Sequence, residues 1–383
     1  MIDRILKDEL LRLSAAFPVV TVNGPRQSGK TTLCKMAFPE FDYITLEDLS
    51  IREFIASNPA EFLKAHSNGL VIDEAQYLPE LFSYIQVLVD EKPQRRFILT
   101  GSSNFSLLQN ISQSLAGRTA ILTLLPLSLQ EIATAEAYTE TDTLLLKGGY
   151  PAVWGNGQSP KDVYSNYYST YVERDLRQLI NIKNLTLFQQ FTRLSAGRAA
   201  CEFVASDFSN ELGVDIKTIQ QWNSILETSY IIFMLPPYFR NVGKRIIKTH
   251  KCYFYDTGLL CFLLGIQNEQ QLAVHPLRGN IFENMIVADM MKSYFNRGEQ
   301  PKLFFYRDKS QKEVDVVSET QFDILQIYEI KSSTQFNPSF TKGLDYFKNL
   351  YGEKVAGSTV IYDGCQELQS QYDGYVNFRK LKV

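Results

Sequence analysis

The stretch Gly24-Pro25-Arg26-Gln27-Ser28-Gly29-Lys30-Thr31-Thr32 has the residue types and spacing to grip phosphate. Gly24, Gly29, Lys30 and Thr31 fit G-x-x-x-x-G-K-[ST], a loop whose main-chain N–H groups cradle phosphates. Lys30 is expected to reach the β- and γ-phosphates of a nucleotide, and the Thr31 hydroxyl to ligate Mg2+. Thr32 adds a second hydroxyl. About forty residues on, "GLVIDEAQ" ends an apolar run in Asp73 and Glu74. Asp73 is expected to hold Mg2+ through water, and Glu74 to polarise an attacking water. A third run, "RRFILTGSSN", ends in Thr100, Ser102, Ser103 and Asn104, hydroxyl and amide groups suited to sensing a γ-phosphate or orienting the water. Arg118, in "SLAGRTAILT", has two readings. It stabilises transition-state charge, in cis or from a neighbouring subunit, or it is a surface arginine paired with a carboxylate. The expected ligands are ATP or ADP and Mg2+.

A second constellation lies in the last third. "GNIFENMIVADMM" reads as an amphipathic helix carrying Glu283, "KEVDVV" as a strand carrying Asp315, and "DILQIYEIKSS" as a strand carrying Glu329 and Lys331. Side chains alternate along a strand, so Glu329 and Lys331 share one face while Ile330 points to the core. With Asp315 alongside, the result is a D…E-x-K group. It resembles the restriction-endonuclease-like fold, which implies two carboxylates on Mg2+ and a lysine positioning water for phosphodiester cleavage. That fold is also reused for binding, and Glu329 and Lys331 equally describe a cross-strand ion pair worth about 0–1 kcal/mol if exposed.

Ahead of this group, "RNVGKRIIKTHK" holds Arg240, Lys244, Arg245, Lys248 and Lys251 with no acid among them. On a hairpin these would track the phosphates of DNA, or form a docking face for another subunit.

The elements that must position these groups are legible in outline. "FPVVTVNG" reads as a buried parallel strand and "TTLCKMAF" as a helix start, so the glycine loop meets a helix N-terminus at the carboxyl end of a sheet. In the middle, "SDFSNELG" reads as a short helix capped by Ser206 and stopped by Gly213. "DIKTIQQWNSILETSYI" places Ile219, Trp222, Leu226 and Tyr230 along one helical face. Two short helices followed by strands predict a helix-turn-helix with a wing, on which Lys217 and Gln221 are candidates to face a groove.

"GPRQSGKTTL", "LVIDEAQ", "FILTGSSN", "LAGR", "LLPLSLQE", "GGYP" (148–151), "YVERDL" (171–176) and "FYDTGLL" (254–260) together resemble the AAA-type ATPases of bacteria and archaea that carry a C-terminal domain of unknown function. The resemblance spans nearly the whole chain. It implies a lid whose Gly-x-Pro element touches adenine, which points to Pro151. The expected class is α/β: a P-loop AAA-type ATPase domain with a parallel sheet (1–135), a helical lid (136–183), a winged helix (184–270) and a restriction-endonuclease-like domain (271–383).

Bulk properties narrow the chemistry. Only three histidines occur in 383 residues, which leaves catalysis to carboxylates, lysine, arginine and hydroxyls. Five scattered cysteines argue against zinc or a disulfide framework, and a reduced cytoplasm is expected. "MIDRILKDEL" carries charges where a signal peptide needs an apolar core, and no apolar run nears the ~18 residues of a membrane span. A net charge of −3 means that any nucleic-acid surface must be a local patch. The function expected is ATP hydrolysis coupled to the C-terminal modules, acting with DNA. The alternatives are a nucleotide-controlled switch for a protein partner or homo-oligomer, and an ATP-regulated metal-dependent nuclease.

Overall fold

Short, fully buried apolar runs dictate the first part of the architecture. In a computed structural model, β1 (Val19–Asn23), β3 (Leu70–Asp73) and β4 (Phe97–Gly101) are buried along their whole length. Strands hidden on both faces belong in a parallel sheet with helices on each side. The sheet is parallel throughout, in the order β2 (Asp42–Thr45), β3, β4, β1, β5 (Thr119–Thr123). Residues described are 2–102, 114–136, 139–155, 157–170, 184–239, 249–369 and 373–381.

Alternation along the strands splits the core into two layers. Val19, Leu70, Ile72, Phe97 and Leu99 pack with Leu81, Phe82, Ile85 and Leu88 of α5 (Leu81–Glu91), and with residues of α3 (Leu49–Ser57) and α4 (Pro59–Ala65). Val20, Val22, Val71 and Ile98 face the other way, onto α1 (Leu6–Ala16) and α2 (Lys30–Ala37). Each such side chain contributes roughly 1.5–3 kcal/mol of burial. The sheet is therefore a rigid base, and its carboxyl edge is where loops can be aimed. A short helix, α6 (Leu129–Ala135), follows β5.

The chain divides into two compact units: residues 1–135 with 228–230 and 294–299, and the remainder. The second unit opens with α7 (Thr141–Lys147), α8 (Pro151–Gly155) and α9 (Pro160–Tyr167). Next come α10 (Leu185–Gly197), β6 (Cys201–Glu202), α11 (Ala205–Leu212), α12 (Ile216–Thr228), β7 (Ile232–Leu235) and β8 (Lys251–Phe254). The three strands form an antiparallel sheet in the order β6-β8-β7. Trp222 of α12 packs against Phe188 and Phe191 of α10. Gly213 ends α11 in a left-handed conformation, φ +66°. The helix begins two residues earlier than its sequence suggests. Ser206 lies inside it and Val204 holds the cap position without a side-chain bond, because Ala205 already adopts helical geometry.

After α13 (Thr257–Leu263) and α14 (Glu269–Ala273) comes the long α15 (Arg278–Asn296), then β9 (Leu303–Arg307), β10 (Glu313–Gln321), β11 (Ile324–Lys331), α16 (Lys342–Tyr351), β12 (Val355–Tyr362), β13 (Leu368–Gln369) and β14 (Asp373–Asn377). These strands form a mixed six-stranded sheet, β13-β14-β12-β11-β10-β9. The β9–β10–β11 meander is antiparallel, while β12 pairs in parallel with both β11 and β14.

Candidate nucleotide site and a C-terminal charge cluster

The loop between β1 and α2 has a backbone that its sequence requires. Gly24 sits at φ +140°, and a Cβ there would lie 2.2 Å from the Leu124 carbonyl oxygen, so only glycine fits. Gly29 caps α2 at φ +94°, a left-handed position natural to glycine. Pro25, Arg26, Gln27 and Ser28 complete the turn, and Thr31 and Thr32 lie in the first turn of α2. Lys30 is 5% exposed and donates to the carbonyl oxygens of Gly24 (3.0 Å) and Pro25 (2.8 Å). Burial pushes its ammonium down to about 8, against the opposing pull of Glu74 and Asp73. The Ser28 hydroxyl is buried without a hydrogen-bond partner. A fully buried hydroxyl left unsatisfied inside a glycine loop fits a site built for phosphate oxygens.

Asp73 ends β3 and gathers three hydroxyls. Thr31 Oγ1 donates to its Oδ2 at 2.7 Å, Tyr43 Oη to the same oxygen at 2.8 Å, and Thr100 Oγ1 to Oδ1. The hydroxyl and the carboxylate expected to share a Mg2+ shell are therefore already in contact, a donor set of hard oxygens that suits that ion. Glu74 takes a left-handed backbone (φ +52°), and its Oε2 accepts from Ser102 Oγ (2.9 Å), Ser102 N–H (3.2 Å) and Gln76 Nε2. Positive φ at a non-glycine residue costs energy, so the surrounding bonds hold the carboxylate where it is. Lys30, Thr31, Asp73, Glu74 and Ser102 thus meet at the carboxyl edge of β1, β3 and β4. Ser103 and Asn104 lie outside the described residues.

Arg118 has two readings, and the structure gives it a carboxylate partner. It precedes the first residue of β5, level with Val19 at the start of β1, whereas the glycine loop follows the end of β1. The two sites are separated by about 15 Å of strand, so Arg118 cannot reach a nucleotide held by its own chain. Its guanidinium instead pairs as a fork with Asp90 of α5, at 2.6 and 2.8 Å.

One supporting group left no sequence signal. Arg4, 8% exposed, donates to the carbonyl oxygens of Ser28 (2.6 Å) and Leu125 (2.6 Å) and to Glu131 Oε1 (3.0 Å). Glu131, 1% exposed, also accepts from the N–H groups of Ile5 (2.8 Å) and Ser128 (2.9 Å). A buried ion pair therefore ties the chain start and the "LLPLSLQE" segment to the back of the glycine loop.

In the second unit, Pro151 opens α8, separated from the Gly148–Gly149 pair by Tyr150. "YVERDL" lies outside the described residues, as do Arg240, Lys244, Arg245 and Lys248. Lys251 is corrected: it is 4% exposed, at the start of β8, and is bonded to Glu283 and Glu313, so it cannot belong to a solvent-facing basic wing. Glu283, Asp315, Glu329 and Lys331 are brought to one region. Lys331 Nζ lies 2.6 Å from Glu329 Oε1 and 3.8 Å from Asp315 Oδ2. Glu283 and Asp315 each raise the proton affinity of neighbouring acids in the group.

Three family models match successive parts of the chain. Residues 16–133 match the family described as AAA domain, residues 138–270 a domain of unknown function (DUF8612), and residues 278–380 a domain of unknown function (DUF4143). The chain is similar to the uncharacterized protein Rv2008c of Mycobacterium tuberculosis, 31% identical over 367 residues, covering 94% of this chain and 80% of that protein. It is also similar to the uncharacterized protein MJ1544 of Methanocaldococcus jannaschii, 22% identical over 351 residues, covering 83% and 76%. Among solved structures, the Walker-type ATPase PABY2304 of Pyrococcus abyssi aligns with 69% of this chain and 96% of its own at 16% identity, with a TM-score of 0.46.

Proposed function

Because the chain belongs to the family of AAA-domain ATPases that end in a domain of unknown function (DUF4143), we propose that it binds ATP with Mg2+ at the glycine loop and hydrolyses it. The observation that carries this reading is the convergence of Lys30, Thr31, Asp73, Glu74 and Ser102 at one sheet edge. In this reading the loop N–H groups and Lys30 hold the β- and γ-phosphates, and Thr31 and Asp73 would hold Mg2+, which would supply charge neutralisation on the phosphates. Glu74, oriented by Ser102 and Gln76, accepts the proton of the attacking water. Pro151 is assigned to the adenine, and Arg118 to the nucleotide of a neighbouring subunit. The domain limits assigned are 1–135, 136–183, 184–270 and 271–383, and the unit boundary after Ala135 supports the first of them.

Purified variants test the assignment. Lys30→Ala should abolish binding of ATP in calorimetry. Glu74→Gln should keep binding and lower turnover by about 10²–10³-fold. Wild-type turnover in both variants would refute it.

Coupling of the nucleotide state to DNA through the middle module is the second part of the reading. It is supported by the pair α11–α12, whose Lys217 and Gln221 are exposed, and by the basic stretch 240–248 between β7 and β8. Titration of duplex DNA at low salt should show binding that weakens as salt rises and is lost in Lys244→Glu/Arg245→Glu. No binding at any salt favours a protein partner instead.

A further inference from the structure

The carboxylate group of the C-terminal sheet contains its own cations. Lys251 opens β8, and its Nζ lies 3.2 Å from Glu283 Oε1 and in direct contact with Glu313 Oε1. Tyr253, two residues on and on the same strand face, donates its hydroxyl to the same Glu283 oxygen at 2.6 Å. The register between β8 and α15 is fixed by Asn284, fully buried, which accepts from Phe254 N–H (2.7 Å) and donates to Phe254 O (2.8 Å). That paired bond holds Glu283, the preceding residue, against Lys251. From the other side, β10 supplies Glu313 and Asp315, and β11 supplies Glu329 and Lys331. Asp315 is 6% exposed, and its Oδ2 accepts the Ile330 N–H at 2.7 Å. At the rim, Arg307 of β9 lies between Glu313 (3.8 Å) and Glu202 (3.6 Å).

The endonuclease-like reading implies a divalent metal here, and the donors do not fit one. Mg2+ demands near-octahedral oxygen ligands at about 2.1 Å, so the carboxylates must be free to turn their lone pairs toward it. Glu283 is held by an ammonium and a phenol, Glu313 by the same ammonium, Asp315 by a main-chain N–H, and Glu329 by Lys331. Among the described residues, no three His, Cys, Asp or Glu side chains are grouped so as to hold a metal ion. A dication entering the group would also face two ammonium charges at close range.

We propose that Lys251, carried in from the middle module, occupies the cation position of this carboxylate cluster. The sheet then serves as a charge-compensated joint between the middle and C-terminal modules, and not as a metal-dependent nuclease centre. The electrostatics agree. Burial works against a charge on Lys251, but the carboxylates Glu283, Asp315 and Glu313 outweigh it and keep the amine protonated.

Mn2+ is the probe, followed by the electron-paramagnetic signal of the free ion over nucleotide-free, full-length protein. Wild type and Asp315→Asn/Glu329→Gln should take up Mn2+ identically. One extra ion per wild-type chain, lost in the double variant, would overturn the proposal. Lys251→Ser should bind Mn2+ at least about tenfold more tightly than wild type, since it removes the resident cation and leaves four acids. Lys251→Arg, which keeps the charge, should behave as wild type. A folded Lys251→Ser chain with no gain counts against the role of Lys251. Should that variant fail to fold, the comparison of wild type with the double variant still decides the matter.

Discussion

Arg4 and Glu131 have side chains 6% and 1% exposed, so neither can fall back on water if its partner is removed. Arg4→Met would strand the Glu131 carboxylate in a buried site, at a cost of about 3–5 kcal/mol. Adding Glu131→Gln should recover more than half of that loss, since a neutral amide tolerates burial better than an unpaired charge. Urea unfolding followed by circular dichroism reads both changes, and simple additivity would show that the pair does not act as a unit. The residue scale also explains what the sequence could disclose. The glycine loop is legible because its phosphate-binding groups are contiguous main-chain amides, announced by Gly24, Gly29 and Lys30 in one stretch. Arg4 is silent because its partners stand 24, 121 and 127 positions away. Lys251 reads as one more surface cation among its basic neighbours. Nothing near it in the chain announces that Glu283 and Glu313 will close over it.

At the scale of elements, two glycine-bearing motifs prove to be halves of one joint. Asp256 caps α13, accepting from Leu259 N–H at 2.8 Å through Oδ1, and reaches Gly149 N–H at 2.5 Å through Oδ2. Tyr164 of α9 donates to the Lys147 carbonyl at 2.7 Å and lies so near Gly258 that a Cβ there would be 2.3 Å from its ring. "GGYP" and "YDTGLL" are thus joined by a buried carboxylate, and Gly258 is small because Tyr164 needs the space. Spacing alone reveals only turns at both motifs, because their meaning lies in a contact across more than a hundred residues. The parallel sheet was far more legible. Continuous apolar runs bounded by functional residues leave few other ways to bury "VVTVN", "LVID" and "FILTG" on both faces. The strands carrying Asp315, Glu329 and Lys331 were legible too, since alternation gives the shared face. What alternation cannot supply is the identity of the groups opposite that face, and there the tyrosine and lysine of β8 decide the chemistry.

For the molecule as a whole, the charge cluster sets a pH response in the second unit. Four carboxylates surround two ammonium groups, and the imbalance is met by acids that keep their protons. Burial first, reinforced by Asp315 and opposed by Lys251, pushes Glu283 up to about 7. Burial, again reinforced by Asp315 and opposed by Lys331, takes Glu329 to about 8. Both acids start from 4.5 in the unfolded chain, so the folded state binds these protons more tightly. The resulting stabilisation is complete below about 4.5 and is lost as pH rises through 7 and 8. Lys251 and Lys331 are both raised and stay charged across that window, while Tyr253 is raised and stays neutral. Trp154 and Trp222, the chain's two tryptophans, both belong to the second unit and report its unfolding by fluorescence. The denaturation midpoint they follow should fall between pH 5.5 and pH 8.5. Its free-energy slope is at most about 1.4 kcal/mol per pH unit for each proton released. Glu329→Gln removes one of the two protons and should flatten the upper half of that decline, leaving the variant relatively more stable than wild type at pH 8.5 than at pH 5.5. Equal slopes in the two proteins would mean that Glu329 is ionised in the folded chain throughout, and that the cluster balances its charge by some other means.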